Sequence, residues 1–526
     1  MRRVIFGSMS VLILAAVVLL WQSVVSRQVN MQAGENILDS ASGNTDKNEV
    51  KLTGYLIGEA PEGLPEVLRA LNDKLKQDIN ATLELNYIAW DELASKYSLL
   101  LESGENIDFI FAADWSFYTT EAARGAFMPL SKELLRTYMP RHMALMPDEA
   151  WQATLVNGQS FIIPTAVQER KINLALFRKD VMAKAGLSTI TAFSEIEPYL
   201  AEIKKSYPDM IPLNLDSQFD LSTPYGYLLA EQIGWPGAPF DSGDPSAQGI
   251  VGDMDRPSSE LWSMVEEPML SIQKKAAHIM KDWYDKGYVN RNPFANQVRS
   301  KQNFCYGKSG IAFGNSNDLA QVFTLCKEKG IEVYPYPMLY PSGTTSQSSW
   351  LNNGVSISAN SRHPERALLA LDLIMQEPSY AYLAYYGIEG RNYIMLSDGR
   401  IGLPEGVSAE SNTYPPDASG FWFVNKEFLP PMAEWTDSYT EMRGRIDSYL
   451  KPVTYLGFLF NSGNVKTEIA NLKSISIEYA QPIYIGAVED VDAAFTRLSG
   501  LLKAAGIDKV KAEVEQQAAA FLRGEH

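Results

Sequence analysis

Asp108 to Asp114 reads DFIFAAD, five apolar residues in a row entered and left by a carboxylate. A strand with one face in water alternates apolar and polar residues, whereas an unbroken apolar run this short marks a strand buried on both faces, as in a parallel sheet. Upstream, Glu49 to Ile57 (EVKLTGYLI) predicts another strand, and Pro65 to Ile79 places Val67, Leu68, Leu71, Leu75 and Ile79 on one helical stripe. Strand, helix, strand in this order predicts an α/β lobe.

Downstream, Ser160 to Pro164 (SFIIP) predicts a short strand stopped by proline, and Asn173 to Phe177 (NLALF) leads into a helix-rich stretch, as expected of a crossing into a second lobe. Ser309 to Phe313 (SGIAF), Ile331 to Tyr336 (IEVYPY) and Gly354 to Ile357 (GVSI) predict further strands. The helix after Asn360 and Ser361 starts with Pro364 in its first turn and carries Leu368, Leu371, Ile374 and Met375 inward. From Val465 the pattern turns helical (Val465 to Tyr479, Val491 to Ala505, Ile507 to Leu522), punctuated by Pro482 and Gly506, which predicts a separate α-helical terminal region. The expected division is residues 49–165 with 340–376 as the first lobe, 166–339 with 377–454 as the second, and 455–526 as a C-terminal domain.

At the other end, Arg2 and Arg3 precede an apolar run from Val4 to Trp21, the order of a secretory signal or an N-terminal anchor spanning residues 1–26. Cleavage after Ser26 fits the small residues there, and an uncleaved anchor fits the length of the run equally. Arg27 stands where lipid attachment needs cysteine, and residues 27–48 read as a polar tether. The expected location is outside the cytoplasm, anchored to the outer face of the membrane or secreted.

A chain of 526 residues at 46% hydrophobic and 21% charged has material for several domains and is not disordered. The net charge of −17 is spread along the chain, with no basic stripe to displace counterions, so nucleic acid is not an expected partner. Two cysteines, Cys305 and Cys326, exclude a disulfide framework; they either form one bridge, worth roughly 3 kcal/mol by chain entropy, or stay buried thiols.

Signatures of chemistry are missing. The histidines at 142, 278, 363 and 526 make no metal-binding pair, no GxSxG elbow occurs, and Gly307-Lys308-Ser309 lacks the first glycine of a phosphate loop because Gln302 stands there. Carboxylates such as Asp114 and Glu169 are available for glycosidase chemistry, but spacing alone does not pair them. The expectation is a binding protein without catalysis, metal or cofactor. Tyr55, Trp115, Trp235, Trp350 and Trp422 lie beside Gly, Asn, Asp or Pro at strand ends and crossings, where flat apolar faces with polar rims suit sugar rings. Trp90, Trp151, Trp262 and Trp283 read as packing residues in helical contexts.

Several segments together resemble a known family. They are Tyr87 to Trp90 (YIAW), Asp108 to Trp115, Gly125 to Leu130 (GAFMPL), Ile163 to Glu169 (IPTAVQE), Phe177 to Asp180 (FRKD), Asn353 to Arg366 with HPER, and Tyr386 to Tyr393 (YGIEGRNY). Near the end, Gly457 to Asn471 (GFLFNSGNVKTEIAN) and Leu501 to Val510 (LLKAAGIDKV) continue the match. In order and spacing the chain resembles the extracellular solute-binding proteins of ABC importers, in the subgroup of large sugar-binding lipoproteins with a helical C-terminal domain. That resemblance implies a type II periplasmic-binding-protein-like fold, two α/β lobes closing about a hinge, and a monomer that hands an oligosaccharide to membrane permease subunits. It also nominates ligand contacts: Tyr55, Asp114, Trp115, Gln168, Glu169, Asn315, Trp350 and Asn352. An oligopeptide receptor and a sugar-presenting partner of a membrane sensor remain as alternatives.

Overall fold

A computed structural model describes residues 48–524, apart from 91, 218, 235–249, 253–260, 453–454, 456–457 and 459. The signal or anchor, nearly all of the tether, and Trp235 therefore lie outside the described residues.

The first lobe is built on a five-stranded sheet ordered Ala81–Ile88, Val50–Ile57, Phe109–Ala112, Gly354–Ile357, Ile163–Pro164. The first three strands are parallel; Gly354–Ile357 runs antiparallel to both of its neighbours. The DFIFAAD strand is buried on both faces as its composition requires. Phe109 and Phe111 enter one core with Leu71, Leu75 and Leu368, while Ile110 and Ala112 enter another with Tyr97 and Leu351. Its entry carboxylate, Asp108, is fully buried and accepts hydrogen bonds from the Thr53 N–H (2.8 Å) and the Ser361 hydroxyl (2.7 Å). Gly54 is required opposite it, because a Cβ there would lie 2.3 Å from the Phe109 ring.

The second lobe carries a three-stranded antiparallel sheet, Ile311–Asn315, Asn173–Arg178, Val333–Pro337. Ala175, Phe177 and Phe313 face a large core with Tyr199, Tyr227 and Trp283; Leu174, Leu176 and Ala312 face a smaller one with Phe304 and Phe323. Cys305 and Cys326 are joined in a disulfide beside that smaller core.

Two expectations change. The helix Pro378–Tyr386 follows Pro364–Gln376 after the single residue Glu377, too short a joint to carry the chain across to the other lobe. Accordingly Tyr380, Ala381 and Ala384, and later Phe421, Phe423 and Val424, pack in the first lobe, while Tyr439, Met442 and Ile446, with Trp435, Tyr449 and Leu450 partly buried against them, join a second-lobe core. The terminal helices Lys466–Ile475, Val491–Ala504 and Ile507–Leu522 form close to where the pattern put them, with Gly506 at φ +95° between the last two. They are not a separate body. Leu472, Tyr484, Phe495 and Val510 share one continuous core with Tyr225, Ala276 and Met280 of the second lobe.

Candidate functional site

Parallel strands of the first lobe end in aromatic residues, which is where open α/β sheets bind ligands. Trp90 follows Ala81–Ile88, Trp115 follows Phe109–Ala112, and Trp422 reaches the same place from the segment after Gly420. Trp90 stacks on Trp115 (centroids 5.8 Å, 27° between planes) and on Trp422 (5.5 Å, 22°). The Trp115 indole N–H donates to the Asn352 carbonyl at 2.7 Å and the Trp422 N–H to the Asp417 carbonyl at 2.8 Å. Both rings are thereby fixed in orientation while staying half-buried.

The second lobe meets this platform with Phe219, whose ring stands edge-on to Trp90 (5.3 Å, 81°) and remains 39% exposed. Its loop is pinned: Asp216 accepts from the Phe219 N–H at 2.9 Å, and Asp220 accepts from the Ser300 N–H (2.9 Å) and hydroxyl (2.6 Å). The Arg299 guanidinium lies 4.3 Å over the Phe219 ring and pairs with Asp318 at 3.2 Å; Lys301 bonds the other oxygen of that carboxylate.

Beneath the platform runs a charged seam at the hinge. Glu169 is almost fully buried and pairs with Lys426 at 2.6 Å, accepting also from the side-chain amides of Asn353 (2.8 Å) and Asn317 (3.1 Å). Asn317 in turn accepts from Arg443 at 2.9 Å, so the seam ties first-lobe residues to second-lobe ones. Burial alone would raise the Glu169 pKa, but the charges of Lys426 and Lys171 with the Asn353 bond outweigh it and hold the carboxyl below its usual range. Asp114 and Asp417 go the other way, pushed up chiefly by burial, and burial pushes Lys171 down.

Glu169→Gln should lower the melting temperature at neutral pH by leaving Lys426 unpaired in a buried place, a loss of roughly 3 kcal/mol. A carboxyl whose folded pKa is depressed stabilises the fold above its unfolded pKa and stops doing so as pH falls through the folded value. The gap between wild type and variant should be full at pH 7 and close as pH falls below the ordinary glutamate range and through the depressed folded value. A gap unchanged at pH 3 would mean that packing, not charge, was removed.

Of the residues nominated from sequence, Asp114 and Trp115 stand at the platform and Asn352 supports it. Glu169 is absorbed by the hinge seam. Gln168 donates to the Ser348 carbonyl at 3.0 Å and accepts from Gln347 at 2.5 Å, joining two crossing segments. Three are not brought to the platform. The Tyr55 hydroxyl points to Glu105, Asn315 accepts from the N–H groups of Asn317 and Asp318, and Trp350 packs with the core around Ile110 and Leu351. Trp90, Phe219, Lys171, Asp417 and Lys426 were not nominated. Trp90 had a usable signal: YIAW is the tail of a strand, not of a helix, and the strand-end rule that selected Trp115 selects it too.

The model of the bacterial extracellular solute-binding proteins matches residues 70–390, more than half of the chain. The protein belongs to that family. The family is extracellular, and a domain of unknown function matches residues 454–523, the helices fused to the second lobe. Over 516 residues the chain is 26% identical to a carbohydrate ABC transporter substrate-binding protein of Streptococcus pneumoniae, covering 95% of this chain and 97% of that one. Among solved structures, the N-glycan transport solute binding protein of Streptococcus pneumoniae in complex with Man1GlcNAc superposes with a TM-score of 0.72 at 22% identity, over 90% of this chain and all of that one. An alginate-binding protein superposes with a TM-score of 0.66 at 15% identity, over 90% and 99%. These likenesses establish the two-lobed type II fold for this family member.

Proposed function

We propose that this protein is the extracytoplasmic receptor subunit of an ABC importer, capturing an oligosaccharide between its lobes and presenting it to the permease as a monomer without chemical change. The observation that carries this reading is the stacked Trp90, Trp115 and Trp422 platform of one lobe facing Phe219 of the other. Fixed indole faces bury the C–H patches of a sugar ring, and carboxylates and an ammonium at their edge serve its hydroxyls. The likeness to a carbohydrate transporter subunit over nearly the whole chain supports the same substrate class. Contacts from both lobes exist only when they are closed, so ligand shifts the protein toward the closed form by the free energy of those added contacts.

A thermal-shift screen against plant and microbial oligosaccharides, with di- to pentapeptides as controls, tests the assignment. Ligand at 100 times its dissociation constant adds roughly 2.7 kcal/mol, and the midpoint should rise by about a degree or more with a sugar class and stay put with peptides. A rise with peptides alone would overturn the sugar and keep the fold.

A further inference from the structure

Residues 403–412 leave the first lobe, touch the second and return. One root is Ile401, packed with Tyr386 and Tyr393. The other is Asn412, whose amide donates to the Asn392 carbonyl at 3.1 Å, followed by Thr413, whose carbonyl accepts from the Gly63 N–H at 2.9 Å. Tyr414 seals it, buried beside Leu64 and Val67 with its hydroxyl on the Ala384 carbonyl at 2.8 Å. Between the roots the loop is stiffened from within. The Val407 N–H donates to the Pro404 carbonyl and the Asn412 N–H to the Ser408 carbonyl, each at 3.0 Å. The hydroxyls of Ser408 and Ser411 each accept from the other's backbone N–H, at 3.1 and 2.8 Å.

The tip of this loop grips the far end of the second-lobe helix Ala320–Glu328. The Ala409 N–H donates to the Glu328 carboxylate at 3.0 Å. Glu410 accepts from the Tyr306 hydroxyl at 2.6 Å with one oxygen and from the Lys329 ammonium at 3.4 Å with the other, and that ammonium lies 4.4 Å over the Tyr306 ring. Tyr306 and Lys329 belong to different segments, but the disulfide joins Cys305, next to the tyrosine, to Cys326, one turn before the lysine, so both reach one carboxylate. The near end of the same helix starts at the hinge seam, where Asn317 bonds Glu169 at 3.1 Å. At about 1.5 Å per residue the helix carries the grip roughly 14 Å away from the seam. A hinge rotation of about 15° moves a point at that distance by about 4 Å, enough to part these hydrogen bonds. In this structure the lobes are together, with Phe219 against Trp90.

We propose that residues 403–412 are an interlobe strap, hooked by Glu410 onto Tyr306 and Lys329, which favours the closed form before any ligand arrives and thereby sets the affinity of the cleft. Contacts that exist only with the lobes together stabilise the closed form in the free and the loaded protein alike. A larger closed fraction in the free protein lowers the measured dissociation constant in proportion. Glu410 is a positioning residue: it acts through closure and touches no ligand, so its effect is the same for every ligand the cleft takes. The inference rests on lobe closure and not on the chemistry of the ligand.

Distances between spin labels on the two lobes of the full-length, ligand-free chain test this by pulsed electron resonance. The labels go on Leu99→Cys of the first lobe and Lys205→Cys of the second, both exposed, while the native cysteines are held in their disulfide. Glu410→Ala should lower the ratio of short to long distances about fivefold, the effect of losing one exposed, charge-assisted grip. Tyr306→Phe, which removes only the hydroxyl, should shift the ratio the same way by about twofold, and it keeps the test open should the first variant fail to fold. A distribution unchanged in both variants, or moved toward shorter distances, overturns the strap. Either result leaves the sugar reading standing, because no ligand enters the measurement.

Discussion

A chain ended at residue 454 should fail to keep a folded second lobe. The terminal helices bury Leu472, Tyr484, Phe495, Leu498, Val510 and Val514 in the same core that holds Tyr225, Ala276, Ala277 and Met280. Tyr484 stacks on Tyr225 with ring centroids 4.5 Å apart, and Gly486 passes so close to the helix Met269–Asp285 that a Cβ on it would sit 2.3 Å from the Met280 carbonyl. Ion pairs fasten the rim, Lys274 to Asp492 at 2.8 Å and Lys511 to Glu266. Uncovering four or five large side chains at roughly 1.5–3 kcal/mol each removes about 10 kcal/mol, as much as the whole stability of a typical domain. The truncated protein should appear in inclusion bodies, or soluble without a cooperative melting transition by circular dichroism. A soluble product melting in one step near the wild-type temperature would show that the shared core is dispensable.

That fusion was invisible in the sequence for a physical reason. Helical periodicity in 465–522 says that each helix has an apolar face, and Pro482 and Gly506 say where helices stop, but neither says whose surface the faces cover. The DFIFAAD strand was legible because its composition already demands two partners, and Phe109, Ile110, Phe111 and Ala112 found one on each side. The same limit governs the site. Trp115 could be found because it ends a strand recognisable by itself, and its neighbour Asp114 came with it. Phe219 lies on an irregular second-lobe segment, and Lys171 and Asp417 on irregular segments that only the tertiary fold carries to the tryptophans. Tyr55 is not at the platform for a different reason: side chains alternate along Val50–Ile57, and position 55 shares the face that carries its hydroxyl to Glu105.

Replacing Trp90 with Ala should weaken sugar binding by about 100-fold while moving the melting temperature little, and replacing Trp350 with Ala should do the reverse. Trp90 is the ring that touches all the others: both tryptophans stack on it and Phe219 meets it from the opposite lobe. Its loss removes a stacking face, frees Trp115 and Trp422 to tilt on their single hydrogen bonds, and deprives Phe219 of its contact on closure. A buried tryptophan anchor of this kind is typically worth 2 kcal/mol or more, and about 2.7 kcal/mol corresponds to the 100-fold expected. The fold should tolerate the change because Trp90 lies at the half-buried end of its strand, outside the fully buried core. Trp350 is half-buried like Trp90, but it packs against the core around Ile110, Ala112 and Leu351 on the other face of the sheet, so its truncation should cost about 2 kcal/mol of stability with affinity retained. Calorimetric titration and melting curves on the two variants separate these roles. Should Trp350→Ala abolish binding with its melting temperature intact, the ligand lies on the other face of the sheet and the platform around Trp90 is packing after all.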